Sequence, residues 1–233
     1  MENQTPDHKA IYQARAESYD RLISREDYQQ NITHALNRIR LTAGLDVAEL
    51  GAGTGRLTRL LSPVVRSIVA FDISQAMLTV ARRSLAPTGH SNWSLTMADN
   101  RSLPLRDRSV DLAISGWSIC YLVSWGGAEW QGAVDQSLRE MERVLRPGGT
   151  AVILETQGTG FEKPHPPGVL IPYFEYLEDR GFSFTWIRTD YRFNSLDEAI
   201  ELVDFFFGKE LAMQIKSSGQ LILPECTGIW WRR

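Results

Sequence analysis

Residues 47–56, Val-Ala-Glu-Leu-Gly-Ala-Gly-Thr-Gly-Arg, limit the possible folds more than any other stretch of the chain. A short apolar run stops at three alternate glycines, Gly51, Gly53 and Gly55, and a helical pattern over 56–61 starts at once. Glycines at such a bend permit positive φ and let a ligand touch bare backbone, while the helix start favours a negative group. A strand, a tight turn and a helix in that order make the opening of a βα unit.

The following sequence repeats the alternation. Short apolar runs at 67–71, 93–97, 110–114 and 150–154 are separated by helical patterns at 74–85 and 128–145. In the last, Trp130, Val134, Leu138, Met141 and Leu145 share one face. Strands alternating with helices predict a doubly wound, mostly parallel sheet of seven strands, Rossmann-like in class. Residues 1–43 read as a helical cover, with Tyr12, Ala16, Tyr19 and Ile23 on one face, and 44–155 as the binding core. Residues 156–233 hold a stiff Pro-rich loop at 162–168, a short helix at 171–180 and one long aromatic strand at 182–193. A helix follows from Ser195, whose capping-box partner is Glu198, so a helical insertion precedes the last extended segment, 221–231. No linker divides the chain, and a single domain over 1–233 is expected.

Composition narrows the partners. At 233 residues, with 43% hydrophobic side chains, the chain can close a core without staples. Its net charge of −3, from 25 basic and 28 acidic side chains, provides no global attraction for nucleic acid or anionic membrane. Two cysteines, Cys120 and Cys226, lie outside any zinc spacing, so no metal is expected and a reducing, cytoplasmic setting is. The first residues lack an apolar signal core, and no run approaches the roughly 18 apolar residues of a membrane span.

Two carboxylates follow the glycine turn at telling places. Asp72 closes the second strand about twenty residues on, where an acid is placed to accept from ribose hydroxyls. Asp99, followed by Asn100, ends the third strand. Ligands of open α/β sheets sit beyond the carboxyl ends of strands, so the three features converge on one crevice. A dinucleotide fingerprint would need its third glycine at position 56, which is Arg56.

On these residues the chain resembles the class I S-adenosylmethionine-dependent methyltransferases, over residues 10–155. ELGAGTGR resembles the first motif of that family, FDIS its ribose-binding strand end, MADNRSLPLRDRSVDLAIS its adenine-binding segment, and LRPGGTAVILE the run into its fifth strand. The resemblance implies that S-adenosylmethionine is bound, with Glu49, Gly51, Ala52 and Gly53 along its methionine part. It further implies Asp72 on the ribose, Ile73 against the adenine, Asp99 and Asn100 at the adenine edge, and Ser115 and Gly116 beneath the sulfonium; Tyr19 and Met77 complete the set. The likeness is greatest to small-molecule methyltransferases of ubiquinone and menaquinone biosynthesis, whose covering helix often carries a Tyr-Asp pair, here Tyr19-Asp20. Where many relatives have His before Tyr after the fourth strand, this chain has Cys120 before Tyr121.

Methyl transfer from a sulfonium requires alignment and exclusion of water more than a strong catalyst. If the nucleophile arrives protonated a base is needed, and the candidates are His165 and Glu155, each with the plainer alternative of a loop or bracing residue. Aromatic residues expected at the acceptor, alongside the alternative of core packing, are Tyr12, Trp117, Tyr121, Phe161, Tyr173 and Trp230. Two other functions fit the same motifs: a regulator that binds the cofactor without transfer, and a nicotinamide-linked oxidoreductase. The acceptor is expected to be a small molecule rather than nucleic acid or membrane, and the protein a monomer or homodimer.

Overall fold

The computed structural model describes residues 6–233. Three helices come first, α1 (His8–Ala14), α2 (Ala16–Ile23) and α3 (Asn31–Ile39). The alternating core follows as β1 (Asp46–Leu50), α4 (Arg56–Leu61), β2 (Ser67–Asp72), α5 (Gln75–Leu85), β3 (Trp93–Met97) and β4 (Val110–Gly116). Then come α6 (Cys120–Gly126), α7 (Trp130–Val144), β5 (Leu145–Thr159), α8 (Ile171–Asp179), β6 (Ser183–Arg188) and β7 (Tyr191–Arg192). The chain finishes with α9 (Leu196–Phe207), α10 (Lys209–Ser218), β8 (Ile222–Leu223) and β9 (Glu225–Arg232).

Seven strands form one sheet in the order β3-β2-β1-β4-β5-β9-β6. β1 to β5 pair in parallel, and β9 runs antiparallel between β5 and β6. The chain winds outward from β1 to β3 and then returns to place β4 on the other flank of β1. That reversal opens a crevice above the carboxyl ends of β1 and β4, the position where such sheets bind ligands. It is the doubly wound, mostly parallel architecture expected from the alternation.

Both faces of the sheet are covered, which explains why its central strands read as nearly continuous apolar runs. Ala48, Leu50, Ala113, Ile153 and Trp230 face α6, α7 and α8, while Val47, Leu112, Ile114, Val152 and Ile229 face α3 and α4. A third apolar cluster joins α9, α10, β7 and β8 to Leu22 of α2, so the late helices pack against the N-terminal cover. Among the described residues no helix is long and apolar enough to cross a membrane.

One local expectation needs correction, and two helices lie outside the expected pattern. The long strand expected over 182–193 breaks after β6, because Arg188 turns onto Asp190 (2.7 Å) and the Glu225 amide donates to that same carboxylate (3.0 Å). β7 then leaves the main sheet and pairs with β8. Helix α6 has no amphipathic signature, since it buries Cys120 and Val123 on one side and turns Tyr121, Leu122 and Trp125 into a cavity on the other. Helix α10 was also not foreseen; its start is marked only by Gly208, at φ 96°.

Candidate active site

The glycine turn is pinned from behind. Gly51 and Ala52 both donate their amides to Phe71 O, at 2.8 and 2.7 Å, which ties the end of β1 to the end of β2. Gly51 sits at φ 75°, and a Cβ there would lie 1.9 Å from Ser118 Oγ, so no side chain fits. At Gly53 a Cβ would meet only Tyr19, at 3.9 Å, so that backbone lies open to the crevice. Asp72 braces the turn from the next strand: its Oδ2 accepts the Gly53 amide and its Oδ1 the Ser74 amide, both at 2.8 Å.

Over this turn lies a cavity of about 700 Å³, a size typical of small-ligand sites. Tyr19, Glu49, Gly51, Ala52 and Gly53 line it, as do Asp72, Ile73, Met77, Asp99 and Asn100. The expected binding residues from three strand ends and the covering helix thus come together. Ile73 stands 71% exposed beside Asp72, a large apolar side chain left open at the crevice. Asp99 is held by Arg101, whose Nε donates to Oδ1 at 2.9 Å and keeps the carboxyl below its ordinary range. Asn100 donates from Nδ2 to Ser118 Oγ at 3.0 Å.

The electrostatics differ between the walls of the cavity. Glu49, buried within β1, accepts from Thr58 Oγ1; burial, helped by the nearby Asp72 charge, pushes its carboxyl up to about 8. Burial also raises Asp72, against the pull of its backbone donors. Arg56 provides the balancing cation. It pairs with Glu26, which also accepts from Tyr191 Oη at 2.9 Å, and its guanidinium lies 3.3 Å from the centre of the Trp117 ring. Trp117 itself occupies φ 49°, an uncommon conformation for a bulky residue, and is held there by the hydrogen bond that its amide donates to Leu154 O at 2.7 Å.

The opposite wall is aromatic. The Tyr12 and Tyr121 hydroxyls hydrogen-bond each other, Tyr19 meets Tyr12 edge-on at 5.2 Å, and Trp125 stacks on Tyr121 at 4.6 Å. Burial holds all three phenols well above their usual range, so they remain neutral donors and acceptors. Helix α1 closes over this wall. Ser74 Oγ donates to Tyr12 O at 3.1 Å, and the His8 ring stacks on Phe206 at 4.4 Å.

Six expected residues lie elsewhere. Tyr173 and Trp230 are buried in the core between the sheet and α8, where Trp230 stacks on Phe174 at 4.6 Å, so neither reaches the cavity. Phe161 and His165 stack on each other at 4.2 Å in the loop after β5 and do not line it either. The Ser115 side chain points into the sheet–helix core, leaving Gly116 at the cavity in its place. Glu155 is wholly buried beneath α6, accepting from the Cys120 amide at 3.0 Å and from Tyr173 Oη at 3.3 Å. Tyr12, Trp117 and Tyr121 do line the cavity.

Sequence reasoning missed Arg56, Ser118, Leu122, Trp125 and Lys9 among the lining residues. Arg56 carried a usable signal, a charged residue directly after the third glycine. Trp125 and Leu122 carried none until α6 was known to be a helix.

A family model described as a methyltransferase domain matches residues 48–153. The chain is 34% identical over 145 residues to the ubiquinone/menaquinone biosynthesis C-methyltransferase UbiE of Hahella chejuensis, covering 60% of this chain and 53% of that protein. It is 29% identical over 190 residues to the demethylmenaquinone methyltransferase of Tropheryma whipplei, covering 79% and 70%. The chain thus spans about half the length of the first of these relatives. Among solved structures, a SAM-dependent methyltransferase from Aquifex aeolicus superposes with a TM-score of 0.55 at 18% identity, covering 97% of this chain and 93% of that one, which speaks for the fold alone. Residues 48–153 thus match a methyltransferase domain, and they sit in a seven-stranded sheet whose fold superposes on that of a SAM-dependent methyltransferase.

Proposed function

We propose that the chain transfers a methyl group from S-adenosylmethionine to a small, ring-bearing acceptor. One observation carries the reading: the glycine turn, Asp72 and the Asp99–Asn100 pair open on one cavity whose far wall is made of Tyr12, Tyr121 and Trp125. Gly53 offers the bare backbone a ligand needs, Asp72 a diol acceptor, and Ile73 an apolar face for a base. Asp72 favours the cationic amino end, the buried Glu49 acid offers it a hydrogen-bond acceptor, and Arg56, whose Nη2 is unsatisfied, supplies a cation for a carboxylate. When bound, the cofactor supplies an already activated methyl group.

The protein's own part is positioning and exclusion of water. Helix α1 covers the cavity, and the aromatic wall orients a flat acceptor by stacking. Every carboxylate lining the cavity is engaged: Glu49 by Thr58, Asp72 by two amides and Asp99 by Arg101. No imidazole lines it among the described residues. The acceptor therefore brings its nucleophile in reactive form, and the neutral phenols hold it by hydrogen bonds. The two free, buried cysteines, Cys120 and Cys226, suit work on a metabolite in a reducing, cytoplasmic setting.

Calorimetry with S-adenosylhomocysteine tests the cofactor half, with an expected affinity in the micromolar range, about −8 kcal/mol. A screen of small phenols, amines and enols with methyl-labelled cofactor tests the transfer. Tight cofactor binding with no labelled product from any acceptor would favour a binding protein without catalysis, and binding of NADH in its place would overturn the reading.

A further inference from the structure

Helix α6 brings Tyr121, Leu122 and Trp125 to the cavity, yet it is only seven residues long and its first turn is tied down by a side chain from another element. The Cys120 amide donates to Glu155 Oε1 at 3.0 Å, and Tyr173 Oη of α8 donates to that same oxygen at 3.3 Å. Glu155 and Tyr173 are wholly buried, and Glu155 Oε2 has no partner. On the strand side the register sets Gly228 of β9 opposite Glu155, so no charged side chain approaches from there. This carboxyl is thus the link between the sheet and the aromatic wall. It holds the amide of the residue before Tyr121 but lies outside the cavity.

We propose that Glu155 is a positioning residue, and that gain or loss of its proton sets how firmly α6 holds Tyr121 and Trp125 against the acceptor. The inference rests on the reading of α6 as the acceptor wall. An ionised carboxylate accepts the Cys120 and Tyr173 bonds as charge-assisted bonds, shorter and stronger than those of the neutral acid. The titratable groups facing it are Cys120 and Tyr121 from α6 and Tyr173 from α8, and burial pushes all three upward, so they stay neutral. Within this contact Glu155 alone changes charge near neutrality: burial raises it to about 7 against the pull of the Cys120 thiol, the Cys120 amide and the Tyr173 hydroxyl. Raising the pH through that value tightens α6, and lowering it loosens the wall.

The test follows the Cys120 amide by NMR in the full-length protein saturated with S-adenosylhomocysteine, across the pH range around neutrality. In parallel, the fluorescence difference between wild type and Trp125→Phe reports the wall itself. The expected result is one transition near pH 7, shared by both signals and absent from Glu155→Gln, which keeps an acceptor for the Cys120 amide. Tyr173→Phe retains the buried ring and removes one stabilising donor, so it should lower the ionisation constant roughly tenfold and move the transition upward. A flat Cys120 amide, a Trp125 signal that does not follow it, a transition that survives in Glu155→Gln, or an unmoved midpoint in Tyr173→Phe would each overturn the inference. Failure of wild type to bind S-adenosylhomocysteine would instead remove the reading on which it stands.

Discussion

Replacing Asp72 by alanine separates the bracing of the glycine turn by this carboxylate from its proposed part in holding the ligand. In the protein alone, Asp72 accepts the Gly53 and Ser74 amides, each at 2.8 Å, and so holds the glycine turn to the start of α5. Both amides lie at the partly exposed crevice, where water can replace the lost acceptor, so the stability cost is about 1–2 kcal/mol. For a chain of this size that is a fall in Tm of roughly 2–8 °C. The binding cost is larger. Two ligand hydroxyls donating to a carboxylate are worth about 1.5–3 kcal/mol each before desolvation is charged against them. Burial already disfavours the ionised form of Asp72, which takes back part of that gain. A net loss of about 3 kcal/mol, roughly a hundredfold in affinity, is the expected outcome. Asp72→Asn should lose nearly as much affinity, because its amide nitrogen cannot accept and would face a backbone N–H. Calorimetry with S-adenosylhomocysteine and thermal unfolding on the same samples read the two effects apart. A folded Asp72→Ala protein that binds within about threefold of wild type would refute the assignment of this acid to the ligand.

Further substitutions probe the rest of the site. Gly51→Ala places a Cβ 1.9 Å from Ser118 Oγ at φ 75°, so it should cost about 2–4 kcal/mol in denaturant unfolding. Adding Ser118→Gly should return the steric share and leave the backbone share; no recovery would mean that the turn and the segment between β4 and α6 do not meet as described. Trp125→Ala and Tyr121→Phe should raise the KM for an aromatic acceptor several-fold while sparing S-adenosylhomocysteine affinity, and an equal loss of both would place α6 on the cofactor. Glu49 has its folded value raised to about 8 by burial and by Asp72, so the folded state holds a proton that the unfolded chain has released. Its contribution is full below the ordinary carboxylate range and is lost as pH rises through about 8, at up to about 1.4 kcal/mol per pH unit. Glu49→Gln should therefore flatten the fall of Tm between mildly acidic and mildly alkaline pH; an unchanged slope would mean that Glu49 is ionised throughout.

Legibility followed the range of the interactions. The order of the first five strands, the glycine turn and the acids at its rim are set by local rules: apolar runs too short for helices, φ values open to glycine, and acids at strand ends. The aromatic wall was half legible. Tyr12 and Tyr19 recur at helical spacing, but whether an aromatic residue meets a ligand or the core depends on which neighbours approach it. Phe161, His165, Tyr173 and Trp230 went astray for that reason. Trp230, on an inner strand, is covered by Phe174 and Phe184, and neither neighbour can be read from the spacing around it.

By itself, then, the chain's sequence determined a doubly wound sheet, a glycine bend and the acids Glu49, Asp72 and Asp99, because each arises from residues close together in the chain. Tertiary structure alone decided that Arg56 rests on Trp117 between Glu26 and the cavity, that Glu155 serves α6 from below, and that Tyr12 meets Tyr121. These contacts join residues up to 109 positions apart. Pairings of that span carry no periodicity, and only the packing of helices onto the sheet brings their partners together.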